Sequence, residues 1–220
     1  MGFGLIKENI THFRWYTTLP LYQYPGASTC FSQLRTLYIT CNESLISDNL
    51  LGMAQICQDI ENLKLWNCDK YIPGLIKFID NQKILQSLYL HNEKSELKCG
   101  VKEIILNCNK LRKLEIFINF DDDDGDDHER EIICDEILNY LLNYSSRNFD
   151  EFAFDQDWRF PVNNLKNFFE GWRGRKPIKF VTRFHKCHHF TQKHIEIVQK
   201  YYDEGVIDKD TRSLYGVNDF

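Results

Sequence analysis

The 220-residue sequence lacks most of the features that would assign it to a protein class at once. No stretch approaches 18 consecutive apolar residues, so a membrane span is not expected. Glycine and proline are scarce, at 11 and 5 residues, and 43% of the residues are hydrophobic, which excludes collagen-like and disordered chains. A net charge of -5 gives no whole-chain reason to expect a nucleic-acid partner. The chain should therefore fold around a substantial buried core.

Motifs typical of enzymes are also missing. The sequence contains no G-x-S-x-G, P-loop, G-x-G-x-x-G or H-E-x-x-H pattern. We therefore expect a protein that is not an enzyme, with no catalytic residues and no cofactor.

Eight cysteines occur without a single C-x-x-C pair, and the first residues, MGFGLIKENITHF, contain no apolar core of a secretory signal. Cysteines in a chain that is not exported stay reduced and behave as small buried hydrophobes. These observations predict a cytoplasmic or nuclear localisation.

A short pattern, apolar-x-x-apolar-x-apolar, recurs along the chain. Six matches are Ile10-Phe13-Trp15, Leu34-Leu37-Ile39, Ile60-Leu63-Leu65, Leu85-Leu88-Leu90, Leu111-Leu114-Ile116 and Phe149-Phe152-Phe154. A degenerate seventh has Arg175 in the first position, followed by Ile178 and Phe180. The starts are separated by 24, 26, 25, 26, 38 and 26 residues, and this regularity indicates a true repeat.

Helix-like stretches lie between the short apolar segments, at about 50–57, 73–80, 99–108, 162–172 and 191–202. Each unit thus reads as strand, turn and helix, and a single unit cannot bury its own strand. Stacked units predict an α/β solenoid of about seven leucine-rich repeats, with parallel strands on the concave face and helices on the convex face. We expect the repeat domain to span residues 1–212, with an acidic loop insertion at about 120–130 and a loose tail at 213–220.

The sequence resembles the repeat region of F-box/LRR-like proteins with cysteine-containing leucine-rich repeats of the fungal type. The resemblance is carried by FSQLRTLYITCN, IENLKLWNCDK, ILQSLYLHN and LRKLEIFIN, and it covers roughly residues 8 to 210. Asn42, Cys68 and Asn119 stand where such repeats place Asn or Cys. The resemblance implies a substrate-recognition module of a cullin–RING ubiquitin ligase. Because no helical F-box precedes Ile10, we expect the Skp adaptor as a partner only if an F-box is supplied from elsewhere.

Residues between the apolar positions of each strand should line the concave face, because side chains alternate along a strand. Six of them form the candidate site for an unknown protein substrate: Tyr38, Lys64, Trp66, Tyr89, His91 and Phe117. Aromatic side chains beside cations are typical of interaction hot spots. The alternative is that aromatic residues simply favour strands and cover neighbouring backbone.

Three other functions find weaker support. The aspartate run at 121–127 could suggest a calcium loop, but its glycine is at the wrong offset, and a solvated loop explains it better. The cluster His185, Cys187, His188, His189 and His194 has no second ligand pair for zinc, so we expect no metal. The segment 159–212 contains 12 Lys/Arg against 6 Asp/Glu and could attract a nucleic acid or another anionic ligand through Arg173, Arg175 and Lys176. A free-standing scaffold or truncated repeat protein without ligase recruitment is a further alternative.

Overall fold

The structure of the chain is a computed structural model, which describes residues 10–16, 19–40, 47–67, 73–92, 101–118, 127–154, 158–182, 189–209 and 211. Seven short strands run through these residues: β1 His12–Trp15, β2 Thr36–Thr40, β3 Asn62–Trp66, β4 Ser87–Asn92, β5 Lys113–Ile118, β6 Glu151–Phe154 and β7 Lys179–Thr182. The α-helices among them are α1 Ala27–Phe31, α2 Ser47–Ile56, α3 Pro73–Asp80, α4 Val101–Asn107, α5 Asp127–Tyr144, α6 Val162–Trp172 and α7 Gln192–Asp203. A 3-10 helix, Leu21–Gln23, precedes α1.

The seven strands form one parallel sheet, and their order in the sheet is their order in the chain. Crossovers between parallel strands are right-handed, so a sheet that always grows in one direction carries its helices on one face. Consecutive helices from α2 to α7 pack against each other, as this requires. The expected α/β architecture with parallel strands and alternating helices is therefore confirmed.

A shared backbone contact joins the repeating units just before each strand. One carbonyl accepts hydrogen bonds from two successive amides of the next unit; these acceptors are Thr11, Arg35, Glu61, Gln86 and Arg112. The side chain of Gln82 also links neighbouring units. Its Nε2 atom donates to the carbonyls of Cys57 and Phe78, and its Oε1 atom accepts from the Ile60 amide. Each unit is thus stacked on the previous one with a fixed register.

The observed register agrees with the sequence spacing over the first six strands. Leu63, for example, lies opposite Leu37 on one side and Leu88 on the other. Inward-pointing side chains alternate along the strands and are almost fully buried, with Leu63 and Leu88 both at 0% exposure. The apolar pattern predicted these positions because the side-chain period of a strand is two residues.

The predicted register of the seventh repeat is wrong by two residues. Phe180 lies opposite Phe152, and Thr182 lies opposite Phe154, whereas the sequence pattern placed Ile178 and Phe180 there. Arg175 does not begin a repeat: its guanidinium group is engaged with the end of α5, so the strand begins later. Because the shift is an even number, the predicted inward face of the strand is unchanged.

The acidic segment explains only part of the 38-residue separation between the starts of the fifth and sixth repeats. The predicted loop at about 120–130 ends at Asp127, where the 18-residue helix α5 begins. The sequence analysis did not predict this helix. The rest of the acidic run, residues 121–126, lies outside the described part of the chain.

Aromatic side chains replace leucine in the core beyond α5. Phe152, Phe154 and Phe180 contact each other with ring centroids 4.8 to 5.8 Å apart. Trp158 and Trp172 are also almost completely buried. The core in this part of the protein is therefore built from contacts between aromatic rings.

The C-terminal end of the core is covered by residues of α7 and of the turn that follows it. Tyr201 is fully buried, Val206 and Ile207 are nearly so, and Ile207 forms a parallel bridge with Ile178. Among the described residues, no helix is both long and apolar enough to cross a membrane.

Candidate functional site

The face of the sheet opposite the helices, called the open face below, presents its side chains in rows. Each row runs across the strands, because parallel strands in register place equivalent residues side by side. The middle row is Arg14, Tyr38, Lys64, Tyr89, Glu115, Ala153 and Val181. The neighbouring row at the carboxyl ends of the strands contains Thr40, Trp66, His91 and Phe117.

The six side chains of the candidate site, called the aromatic patch below, form one contiguous array. Trp66 contacts both His91 and Tyr89, with ring centroids 4.6 and 5.4 Å apart. Tyr89 stacks on Phe117 at 5.1 Å. Neighbouring strands lie about 4.8 Å apart, which is close to the distance at which aromatic rings stack, so the register itself brings these rings together.

Lys64 lies between two rings of the middle row. Its Nζ atom is 5.1 Å from the centroid of Tyr38 and 5.5 Å from that of Tyr89. A cation over the face of a tyrosine ring is attracted by the ring quadrupole and keeps its charge. The patch therefore combines an ammonium group with flat apolar surface.

Arg14 extends the same arrangement to β1, and the sequence analysis did not include it in the candidate site. Its guanidinium carbon lies 5.0 Å from the centroid of Tyr38, on which Lys64 also packs. A hydrogen bond with Tyr16 raises the pKa of the guanidinium group, so Arg14 keeps its positive charge. Arg14 follows Phe13 in the repeat pattern just as Tyr38 follows Leu37, and that equivalence was the available signal.

The open face becomes less accessible from β3 towards β6. Trp66 is 37% exposed, whereas Phe117 is 8% and Ala153 is 0% exposed. Phe117 thus takes part in the patch mainly by supporting Tyr89. On β1 to β4, by contrast, Arg14 and Trp66 are exposed, and Tyr38, Lys64, Tyr89 and His91 are half-buried, so this part of the open face is accessible.

The middle of the face at β5 and β6 carries a compact charge cluster. Lys113 Nζ lies 2.7 Å from a carboxylate oxygen of Glu115 and 2.8 Å from one of Glu151. Burial alone would lower the pKa of Lys113, but the two carboxylates outweigh it, and the pKa lies above its ordinary value. The charges at this position therefore satisfy each other within the protein.

The turn after β3 is shaped by Asn67, whose φ angle of 55° lies in the left-handed region. Asparagine is one of the few residues with a side chain that adopts this conformation readily. The Asn67 amide donates to the His91 carbonyl at 2.8 Å, which fixes the end of β3 beside β4. Trp66 and His91 are held face to face at this point.

The three cations suggested for an anionic ligand in the C-terminal segment are engaged with other parts of the protein. The guanidinium group of Arg175 donates to the carbonyls of Leu142, Ser145 and Ser146 and lies 3.9 Å from the centroid of the Trp172 ring. The two other cations suggested for an anionic ligand are also paired: Arg173 with Glu170 and Glu204, and Lys176 with Asp150. The three cations serve to join α5, α6 and the neighbouring turns.

The residues considered for metal binding are only partly described. The described part of the chain does not include residues 121–126 of the aspartate run or residues 183–188 of the histidine cluster. It also does not include Asn42, Cys68 and Asn119, the Asn and Cys positions of the repeat pattern. His194 is buried; its Nε2 atom is 2.7 Å from the Phe160 carbonyl, and its Nδ1 atom accepts from the Thr191 amide. Within the described ranges, no three His, Cys, Asp or Glu side chains are arranged to hold a metal ion.

Comparison with known proteins adds no relative: no protein-family model matches the chain, and no curated protein matches it. The functional argument therefore depends on the geometry of the molecule itself.

Proposed function

We propose that the chain is a curved leucine-rich-repeat protein that binds another protein through the open face of its sheet. The observation that supports this proposal is the aromatic patch, in which a lysine and four aromatic or imidazole rings from β2 to β4 lie in contact and partly exposed. Rigid rings beside a cation offer contact area at little cost in side-chain entropy, as at the hot spots of known interfaces.

The repeat geometry favours binding over catalysis. The accessible part of the face contains a cation, rings and hydroxyl groups, but its described residues include no nucleophile next to a general base. The resemblance to F-box/LRR-like proteins implies that such a module would present substrates to a cullin–RING ubiquitin ligase. That activity would require an F-box, from this protein or from a partner.

A capture experiment with a matched control tests the proposal. Extract proteins retained by the chain should be lost when Lys64, Trp66 and Tyr89 are all replaced by alanine. The control is the triple alanine variant of Lys102, Tyr140 and Tyr144, since Lys102 packs over those two tyrosines on the helical side of the molecule. Equal loss in both variants would contradict binding at the open face.

Photo-crosslinking identifies the contact surface directly. A benzophenone amino acid at Thr40, on the open face, should crosslink to the retained protein, whereas the same group at the exposed Gln55 of α2 should not. Crosslinking from Gln55 alone would place the interface on the helices. Skp or cullin subunits in the retained fraction would support the ligase activity, and their absence would leave a free-standing binding module.

A further inference from the structure

Two cations on the open face have no carboxylate partner among the described residues. Arg14 and Lys64 are instead held over tyrosine rings. Lys113 on the same face pairs with two carboxylates, and Arg35 and Arg112 at the amino-terminal edge of the sheet pair with acidic neighbours. Within the described ranges, the difference singles out the part of the face on β1 to β3 as the place where positive charge has no acidic partner.

The two unbalanced charges lie close together. Since both head groups are within 5.1 Å of the centroid of Tyr38, they are at most about 10 Å apart. A tyrosine ring orients a cation without neutralising it, and each head group keeps hydrogen-bond donors for an anion. An acidic group placed beside Tyr38 would be attracted by both.

The dimensions of the accessible face suit an extended segment. From β1 to β4 there are three inter-strand spacings of about 4.8 Å, or roughly 14 Å, which about four residues of an extended chain would cross. The strands are four to six residues long, so this part of the face measures only a few hundred Å². A standard interface between folded proteins buries about 800 Å² on each partner.

We propose that the open face binds an acidic, extended segment of a partner protein, with its carboxylates beside Arg14 and Lys64. Apolar side chains of the same segment pack on Trp66 and Tyr89. This inference rests on the proposed function, because it names the chemistry of the partner at the same face. The order of charges and rings across the strands, cations at β1 and β3 and the rings of Trp66 and Tyr89 at β3 and β4, sets the order of acidic and apolar residues in the segment.

A nucleic acid fits these observations less well. Binding of a polyanion depends on several phosphate contacts in succession, and the three cations suggested for it in the C-terminal segment, Arg173, Arg175 and Lys176, already have partners within the protein. Further along the open face, a phosphate backbone would meet Glu115 and Glu151.

A displayed peptide library tests the inference while the partner is still unidentified. The probes are heptapeptides with serine at even positions and all amino acids at odd positions, so that the varied side chains share one face of an extended peptide. Selection on the full chain should enrich Asp or Glu at two neighbouring odd positions and Leu, Phe or Trp at the following ones. Enrichment without acidic residues, or no enrichment at all, would overturn the inference.

Affinity measurements on the enriched peptide then assign the charge contacts. Lys64→Gln and Arg14→Gln should each weaken binding about tenfold, and Lys64→Arg should restore most of it. Lys102→Gln removes a lysine of α4 from a similar pair of tyrosines on α5. It should not change the affinity for the peptide. Binding should also weaken as salt is raised from about 50 to about 200 mM, because the charges are near the surface.

Two outcomes separate this inference from the proposed function. If neutral peptides bind and Trp66→Ala abolishes binding while Lys64→Gln does not, the open face is a binding site but not one for acidic segments. If a 12-residue oligouridylate displaces the peptide at equal or lower concentration, the site prefers a nucleic acid and the inference is wrong. Circular dichroism and melting temperature of each variant establish that the fold is retained.

Discussion

Replacement of Arg175 by alanine should destabilise the protein far more than its position in an exposed, basic segment suggests. The guanidinium group donates to the Leu142 carbonyl in the last turn of α5 and to the Ser145 and Ser146 carbonyls directly after it, and acceptors at a helix end have no partner within the helix. It also covers the ring of the fully buried Trp172 at 3.9 Å. One side chain thus joins the end of α5 to the end of α6.

The expected magnitude follows from these contacts. Nη2 has three acceptors within reach but two hydrogens, so about three hydrogen bonds operate together with the one from Nη1. At about 1.5 kcal/mol for a bond to a charged group, three bonds amount to about 4.5 kcal/mol. Water reaches some of the freed carbonyls because Arg175 is only half-buried, so we expect a loss of about 3 kcal/mol in the free energy of unfolding.

Equilibrium unfolding in urea, followed by tryptophan fluorescence and circular dichroism, measures this loss. Arg175→Lys keeps the charge but not the planar group with several donors, and it should recover little of the stability. Lys176→Gln is the control, because its ion pair with Asp150 is exposed at the lysine end and should contribute less than about 1 kcal/mol. A loss below about 0.5 kcal/mol for Arg175→Ala, or one equal to that of the control, would refute the reasoning.

Three further predictions test the core, the charges and the thiols. Leu63→Ala and Leu88→Ala should each lower the free energy of unfolding by about 2–5 kcal/mol in urea titrations, and a loss under about 0.5 kcal/mol would mean that these side chains are not inside. Hydrogen bonds from Arg173 and Tyr201 lower the pKa of Glu170 to about 2, so its contribution to stability is present above its ordinary pKa and is lost as the pH falls towards 2. The stability difference between wild type and Glu170→Gln should therefore shrink below about pH 4.5, and a difference that grew on acidification would contradict this sign. Burial raises the pKa of Cys108 to about 12, so alkylation at about pH 8, followed by mass spectrometry, should modify it much more slowly than the half-buried Cys30.

Much of the sheet could be predicted from the sequence because one pattern determines two properties. Apolar residues at fixed positions identify the inward face of each strand, and the constant separation of about 25 residues aligns the strands with each other. The pattern failed at β7, where the inward position opposite Phe154 is taken by Thr182. An apolar pattern does not recognise a buried threonine, and it accepted Ile178 and Phe180 two residues too early.

Helix α5 could not be predicted by the same reasoning. It begins within an aspartate run that resembles a solvated loop, and its first five residues, DHERE, include no apolar side chain. Its later apolar residues Ile133, Ile137, Leu138 and Leu141 are buried in the core and follow helical spacing. That spacing was the available signal, but it does not belong to the strand pattern that revealed the repeats.

For the candidate site, the sequence predicts which side chains lie close together but not which cations are available to a partner. Equivalent residues of parallel strands in register must form rows, so the proximity of Tyr38, Lys64 and Tyr89 could be predicted from their spacing alone. Whether a cation is available to a partner depends on which side chains come from elsewhere in the chain to meet it. In the sequence, Arg175 and Lys64 are equivalent as cations. In the structure, the guanidinium group of Arg175 binds the carbonyls of Leu142, Ser145 and Ser146 at the end of α5, while the ammonium group of Lys64 lies over two rings and has no carboxylate partner among the described residues. This contrast favours the open face over Arg175 and its neighbours as the proposed site for an acidic segment.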